Sequence, residues 1–265
     1  MESLSARQQS ILNRVIDLYI DTGQPVGSKA ITDGYQERYH ASFSPATVRY
    51  EMGYLEEQGY LTHPHTSSGR VPTDLGYRYY VDHSLQPEDL PRNAFQELEE
   101  VPPLNMWQSG AFIHNACRLL SKLTEEVTVM LIPGSAEADL DQPERLRLLV
   151  TGTAFLLKQP EFQDIQKVRE FFSFMEDEVQ LKNLLAERTE GDRVSVTIGR
   201  ENEVSALSEC AVVSIAYFSG ERRYGLIAVL GPTRMRYGRA VSCVDRMAKF
   251  LSRVWDQGGR DIYGA

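Results

Sequence analysis

Between Ser44 and Tyr50 the chain sets a hydroxyl and a proline ahead of Ala46, Thr47, Arg49 and Tyr50. Ser44-Pro45 predicts a helix start: the hydroxyl accepts from first-turn amides, and proline costs nothing where no N–H is needed. Val48, Met52 and Leu55 form one apolar stripe of that helix, which leaves Ala46, Thr47, Arg49, Tyr50 and Gly53 on the opposite side. Small residues near a helix N-terminus let backbone approach a phosphate, and the helix end itself favours an anion. Arg49 has the chemistry to contact phosphate or guanine; it is equally suited to be a solvated helix residue. Downstream, His63, His65, Thr66, Ser67, Ser68 and Arg70 surround Gly69 in a polar loop. These donors suit phosphate or minor-groove contact, and they also suit an ordinary loop. His63 and His65 could ligate zinc, but no Cys or third His stands at ligand spacing, so no metal is expected.

Three helices are needed to hold these residues. Ser5 and Gln8 have capping-box spacing, and Ile11, Leu12, Val15, Ile16, Tyr19 and Ile20 recur at helical period until Gly23 and Pro25. A short second helix is predicted from Ser28, with Ala30 and Ile31 inward and with Ser28 and Lys29 as further contact candidates. Ala41-Ser42-Phe43 is a brief extended piece, and the third helix ends at Gly59. Tyr60-Leu61-Thr62 and Val71-Pro72 then flank the polar loop as two short strands. Residues 1–85 are therefore expected to form a winged helix-turn-helix that binds double-stranded DNA. The same pattern also fits a protein-docking module.

Residues 86–104, with Pro87, Pro91, Pro102 and Pro103 among many acids, are expected to be a linker with one helical turn around Phe95–Leu98. A second domain is expected over 105–265. Its first helix, 105–123, carries Phe112, Ala116, Leu119 and Leu123 in an apolar stripe that either packs in the core or meets a second protomer; these four are the dimerisation candidates. Val127–Ile132 is a predicted strand and 133–141 a loop whose Asp139 and Asp141 are solvated rather than metal-binding. Arg145–Val150 is open to either period. Helices are predicted from Ile165 to Met175 and from Val179 to Leu185. Strands follow at Val194–Ile198, Ala211–Phe218 and Tyr224–Leu230, the latter two joined through a turn at Ser219–Arg222. Gly231-Pro232-Thr233 breaks the chain before a last helix through Val254. Helices beside a small antiparallel sheet give an α+β fold class.

With 265 residues, 28 Lys+Arg and 37 Asp+Glu, the formal charge is -9, which excludes a protein that coats nucleic acid or anionic membrane by bulk charge. An apolar fraction of 42% with 25% charged residues excludes wholesale disorder. Residues 1–85 hold 7 Lys+Arg against 10 Asp+Glu, so any DNA binding is expected to be site-selective and dimer-dependent. Three widely spaced cysteines cannot build a disulfide framework; the N-terminus lacks a signal-type apolar core, and Ala211–Phe218 is too short to cross a bilayer. A soluble cytoplasmic protein with no membrane partner is expected. No GxxxxGK, HExxH or GxSxG pattern occurs, and His114 and Cys117 lack a third orienting group, so neither enzyme activity nor a cofactor is expected.

Several runs resemble the HrcA heat-inducible transcription repressor family: Gly23-Gln24-Pro25-Val26-Gly27-Ser28, Ser44-Pro45-Ala46-Thr47-Val48-Arg49, Leu55–Leu61 and the unbroken His65–Asp82. In the second half Gly152-Thr153, Pro160-Glu161-Phe162, Ile198–Asn202 and Gly231–Tyr237 do the same. The resemblance implies a homodimeric bacterial repressor of chaperone operons, bound to an inverted-repeat operator, relieved by heat and assisted by the GroEL chaperonin. It also implies a GAF-like second domain joined to a dimerising insertion. The chain departs from the family pattern in having about 20 residues between Val127–Ile132 and Gly152, which leaves that insertion reduced or missing. It departs again at Tyr50, where Asn is common, and at Tyr54, where an acid is usual; a different operator is implied. The alternative is a winged-helix regulator whose GAF-like domain binds a small effector.

Overall fold

A computed structural model describes residues 4–32, 43–64, 69–100, 110–134, 140–187 and 191–263. The chain divides into two compact units, Met1–Gln86 and Pro87–Ala265.

In the first unit, α1 (Ala6–Thr22) opens on the predicted capping box: Ser5 Oγ accepts from Gln8 N–H, and Gln8 Oε1 accepts from Ser5 N–H at 2.9 Å. Residues 28–32 are helical (α2), with Ile31 fully buried but Ala30 exposed, so only one of the two residues expected inward faces the core. Helix α3 (Pro45–Glu57) buries Val48, Met52 and Leu55, and β1 (Leu61–Thr62) pairs antiparallel with β2 (Val71–Pro72). Helix α4 (Asp74–His83) closes the unit, capped by Thr73. Three helices and a hairpin make the winged helix. The expected extended piece at Ala41-Ser42 lies outside the described residues.

In the second unit, the described part of the expected linker is anchored. Phe95 and Leu98 are buried, α5 (Gln96–Glu99) follows Phe95, and the Arg246 guanidinium lies 4.8 Å from the Phe95 ring centroid while donating to Pro91 O and Arg92 O. Sparse apolar residues among prolines concealed this, because two aromatic or aliphatic anchors suffice to dock a short segment. After α6 (Gly110–Thr124) come β3 (Val127–Pro133), β4 (Leu146–Thr151) and the short α7 (Thr153–Leu156). Helices α8 (Ile165–Glu176) and α9 (Glu178–Glu187) lead to β5 (Ser195–Ile198), β6 (Cys210–Ser219), β7 (Arg222–Pro232) and α10 (Tyr237–Tyr263). The ambiguous 145–150 segment is thus a strand, paired along its length with β3, and the last helix continues past Val254.

The sheet is antiparallel in the order β4-β3-β7-β6-β5. Period-two alternation sends Val127, Val129 and Leu131 with Leu226, Ala228 and Leu230 into one core, where Phe162, Phe171, Phe174, Leu181 and Leu185 cover them. Helices α6 and α10 pack on the other face. Gly220 begins the two-residue β6–β7 turn at φ +61, the position where such hairpins need a left-handed residue. All three cysteines are buried, and burial raises the thiol pKa of Cys117 and Cys210 to about 12 and that of Cys243 to about 11.

Two buried polar residues of this unit contrast. Asn202 is fully buried yet satisfied, donating to the carbonyls of Gly199, Leu207 and Cys210 and accepting from Thr197 Oγ1 at 2.8 Å. Glu126 is 6% exposed, and its Oε2 has no hydrogen-bond partner among the described residues. A Cβ on Gly231 would stand 2.4 Å from that oxygen, so glycine there is what gives the carboxyl room. Burial raises the Glu126 pKa well above the carboxylate range; Arg234 opposes this, while Glu161 and Glu125 reinforce it. A carboxyl with a raised folded-state pKa binds its proton more tightly in the folded chain, so its contribution to stability is lost as pH rises. Glu126→Gln is therefore expected to stabilise the protein by roughly 1–3 kcal/mol near pH 8 and much less near pH 5. Thermal unfolding across that range checks it; a gain independent of pH would contradict the assignment.

Candidate nucleic-acid interface

Helix α3 is held to α1 by more than its apolar stripe. Glu51 occupies a position within that stripe, is 3% exposed, and receives Arg7 Nε at 2.8 Å and Gln8 Nε2 at 3.1 Å. Gln8 thus spends its carbonyl on the cap of α1 and its amide on α3. A buried carboxylate must be paired to be tolerated, so the pairing fixes the rotation of α3 about its axis. With Val48, Glu51, Met52 and Leu55 inward, the opposite side is determined: Ala46, Arg49 and Tyr50 are exposed and Thr47 and Gly53 half-buried.

The N-terminal end of α3 is capped from within. Ser44 Oγ accepts from Thr47 N–H at 3.1 Å and lies 2.9 Å from Thr47 Oγ1, so these two hydroxyls already hold each other while Ser44 stays exposed. Tyr50 is 75% exposed, the most open of the large exposed apolar side chains. Among the described residues a Cβ added to Gly53 would have nothing within 4 Å, so no packing by them demands a glycine there.

The wing is tied to the same helix. Glu56 of α3 accepts from Arg70 Nε and Nη2, both at 3.0 Å, and lies 3.5 Å from His63 Nε2. The other ring nitrogen of His63 donates to Gly69 O at 3.0 Å. Arg70 exchanges two backbone hydrogen bonds with Val26 at 2.8 and 2.9 Å, which joins the wing base to the turn before α2. A Cβ on Gly69 would stand 2.6 Å from the Pro25 carbonyl carbon, so the chain can pass there only as glycine. The structure therefore brings His63 and Arg70 together, but around Glu56. Their charge and hydrogen bonds are committed to fixing the wing, and Arg70 is mostly buried. His65, Ser67 and Ser68 lie outside the described residues. Ser28 is half-buried at the start of α2 and Lys29 beside it is exposed.

Arg7, Arg70 and Arg78 are each paired with an acid. Among the described residues of this unit, Lys29 and Arg49 are the exposed basic side chains without an acidic partner. Neither Glu51 nor Glu56 was singled out in the sequence; the signal for Glu51 was its position inside the stripe Val48–Leu55, where an acid can only be buried or break the stripe. No cluster of three or more metal-binding side chains gathers among the described residues.

Of the four dimerisation candidates, two are corrected. Phe112 and Ala116 are 3% and 0% exposed within the chain's own core, with Phe112 set 6.3 Å from Phe250 of α10, so neither can also face a partner. The strongly amphipathic stripe of α6 is used internally against β3, β4 and α10. Leu119 and Leu123 remain half-buried at its flank.

A family model described as HrcA protein C terminal domain matches residues 135–241, and one described as Ribonuclease R winged-helix domain matches residues 14–79. The heat-inducible transcription repressor HrcA of Brevibacillus brevis is 28% identical over 339 residues, covering 95% of this chain and 98% of that protein. Over nearly its whole length the chain is similar to the HrcA repressors. The HrcA of Halalkalibacterium halodurans is 27% identical over 340 residues, covering 95% of this chain and 97% of its own. Both alignments run longer than the 265 residues present here, so these HrcA relatives carry stretches with no counterpart in this shorter chain. A crystal structure described as that of a hypothetical protein, at 2.2 Å resolution, has the same fold: TM-score 0.70, 22% identity, with 96% of this chain and 99% of that one covered.

Because Gly53 fills no internal need, Gly53→Ala should stabilise the first unit by roughly 0.5–1 kcal/mol through helix propensity alone. Denaturant unfolding checks it; destabilisation would mean that the helix packs more closely at Gly53 than this geometry allows.

Proposed function

We propose that this chain is a DNA-binding repressor of heat-shock genes that binds an inverted-repeat operator as a homodimer in the bacterial cytoplasm. The observation that carries this is the outer face of α3, where Arg49 and Tyr50 project between Ala46 and Gly53 on a helix locked from behind by Glu51. A helix presented this way fits the major groove, with Arg49 offered to guanine or phosphate and the first-turn amides to phosphate. Ser28, Lys29, Ser44 and Thr47 are proposed as positioning contacts to the backbone, and His65, Ser67 and Ser68, which lie outside the described residues, as further contacts. His63 and Arg70 act mainly by holding that wing. The relatives named heat-inducible transcription repressor support the regulated genes. No helix among the described residues is long and apolar enough to cross a membrane.

So few unpaired cations release few counterions, so one unit alone binds weakly and two units on a palindrome bind through avidity. With Phe112 and Ala116 engaged internally, Leu119 and Leu123 are the part of α6 left for a partner. The GroEL chaperonin enters as the agent that keeps a marginally stable DNA-competent state populated; misfolded clients that occupy it lower repression. A second reading has its own observation: a cavity of about 570 Å³ between β6 and α10, floored by Ile215, Ala216 and Phe218 and rimmed by Asp245, Lys249 and Arg253. Such a space in the GAF-like domain would suit a small effector.

Selection of duplexes from a random pool, with and without chaperonin, tests the function: recovery of a palindrome present in chaperone promoters is expected, and failure to distinguish it from random DNA overturns the proposal. On that palindrome Arg49→Ala should cost about 1–3 kcal/mol of binding and relax one base position. An unchanged specificity ratio would mean that another face reads the bases. Sedimentation of a Leu119→Glu, Leu123→Glu variant should show loss of dimer; a fully dimeric variant excludes α6 from the interface.

A further inference from the structure

Helix positions 46, 49, 50 and 53 share one face, spaced i, i+3, i+4 and i+7. On that face Ala46 ends at its methyl and Gly53 has no side chain at all. A glycine inside a helix is destabilising, and among the described residues nothing lies within 4 Å of where its Cβ would be. Its small size serves what approaches from outside. Tyr50 stands between these two low points with three quarters of its surface open. It is an aromatic ring on a shallow shelf, one residue from an unpaired Arg49. An aromatic face cannot make the bidentate amide contact that distinguishes adenine, but the major groove offers one apolar feature, the C5 methyl of thymine.

Resting on the proposed operator binding, we infer that Tyr50 is a specificity-determining residue that packs its ring against a thymine methyl in each half-site, with Gly53 providing the clearance for the helix to come that close. Arg49 and Tyr50 then divide the face between them: the guanidinium takes a polar edge and the ring takes the methyl. Burying a methyl against a ring gives a modest discrimination of roughly fourfold per half-site, and about fifteenfold when both half-sites of a dimer are affected.

The experiment uses the full chain and the palindrome recovered by selection, with thymines replaced one symmetric pair at a time by deoxyuridine, which removes the methyl and nothing else. For the wild-type protein one pair should lower affinity about fifteenfold while the others have little effect. Tyr50→Phe should keep that sensitivity, because the ring remains. Tyr50→Ala should bind more weakly and lose the sensitivity at that pair, with its helix content unchanged because the side chain is exposed. Gly53→Ala, expected to fold more stably, should nonetheless bind the palindrome several-fold more weakly. If the wild-type protein discriminates the palindrome but no deoxyuridine pair distinguishes it from Tyr50→Ala, this inference is overturned and the operator binding stands. If the wild-type protein does not discriminate the palindrome, both fall.

Discussion

The aim of α3 depends on one buried carboxylate. An apolar stripe alone tolerates rotation of a short helix by some tens of degrees, because Val, Met and Leu side chains can repack at small cost. A carboxylate with 3% exposure has no such latitude: away from Arg7 and Gln8 it would be an unpaired charge in the core. The Glu51 link therefore converts a loosely specified helix rotation into a single one, and everything exposed on the far side inherits that precision. The wing is fixed by the same logic one turn later, where Glu56 gathers Arg70 and His63. Two acids of one helix, Glu51 buried and Glu56 partly exposed, thus orient both α3 and the wing through the arginines they bind.

This use of acids also accounts for the charge balance. The first unit is acidic in sum, yet its acids at 51, 56 and 82 are paired with Arg7, Arg70 and Arg78, and α3 leaves Arg49 open. Net charge counts these pairs at full weight, whereas the field at the outer surface of α3 is set by the side chains that project there. A site-selective protein gains from such an arrangement, since weak general attraction leaves discrimination to close contacts.

Much of this was legible beforehand. The capping box at Ser5, the Ser44-Pro45 start, the apolar stripe of α3 and the two-strand wing follow from local rules, in which a few neighbouring residues decide the conformation. The strands of the second unit and the turn at Gly220 were equally local. What escaped was decided by tertiary partners. Arg70 looked like a ligand-binding cation because its acid lies fourteen residues away in sequence. Phe112 and Ala116 were open to either role because an amphipathic helix has the same pattern whether its apolar face meets its own sheet or another copy. Residues 86–104 looked like a linker because Phe95 and Leu98 are only two anchors, and Phe95 is received by Arg246 of α10, more than a hundred residues later. Strand β4 was ambiguous because it sits at the edge of the sheet with half-buried residues on both faces.

The three buried cysteines bear on which stresses this protein can register. Sulfur responds to oxidants as thiolate, and thiols with pKa values of about 11 to 12 are almost wholly protonated in a neutral cell. While the unit is folded, its three cysteines are therefore poor nucleophiles toward peroxide and disulfides. Unfolding exposes the same thiols and returns them to ordinary reactivity, so oxidation can follow loss of structure but cannot trigger it. A protein built this way keeps its thiols out of oxidative chemistry until its structure has opened.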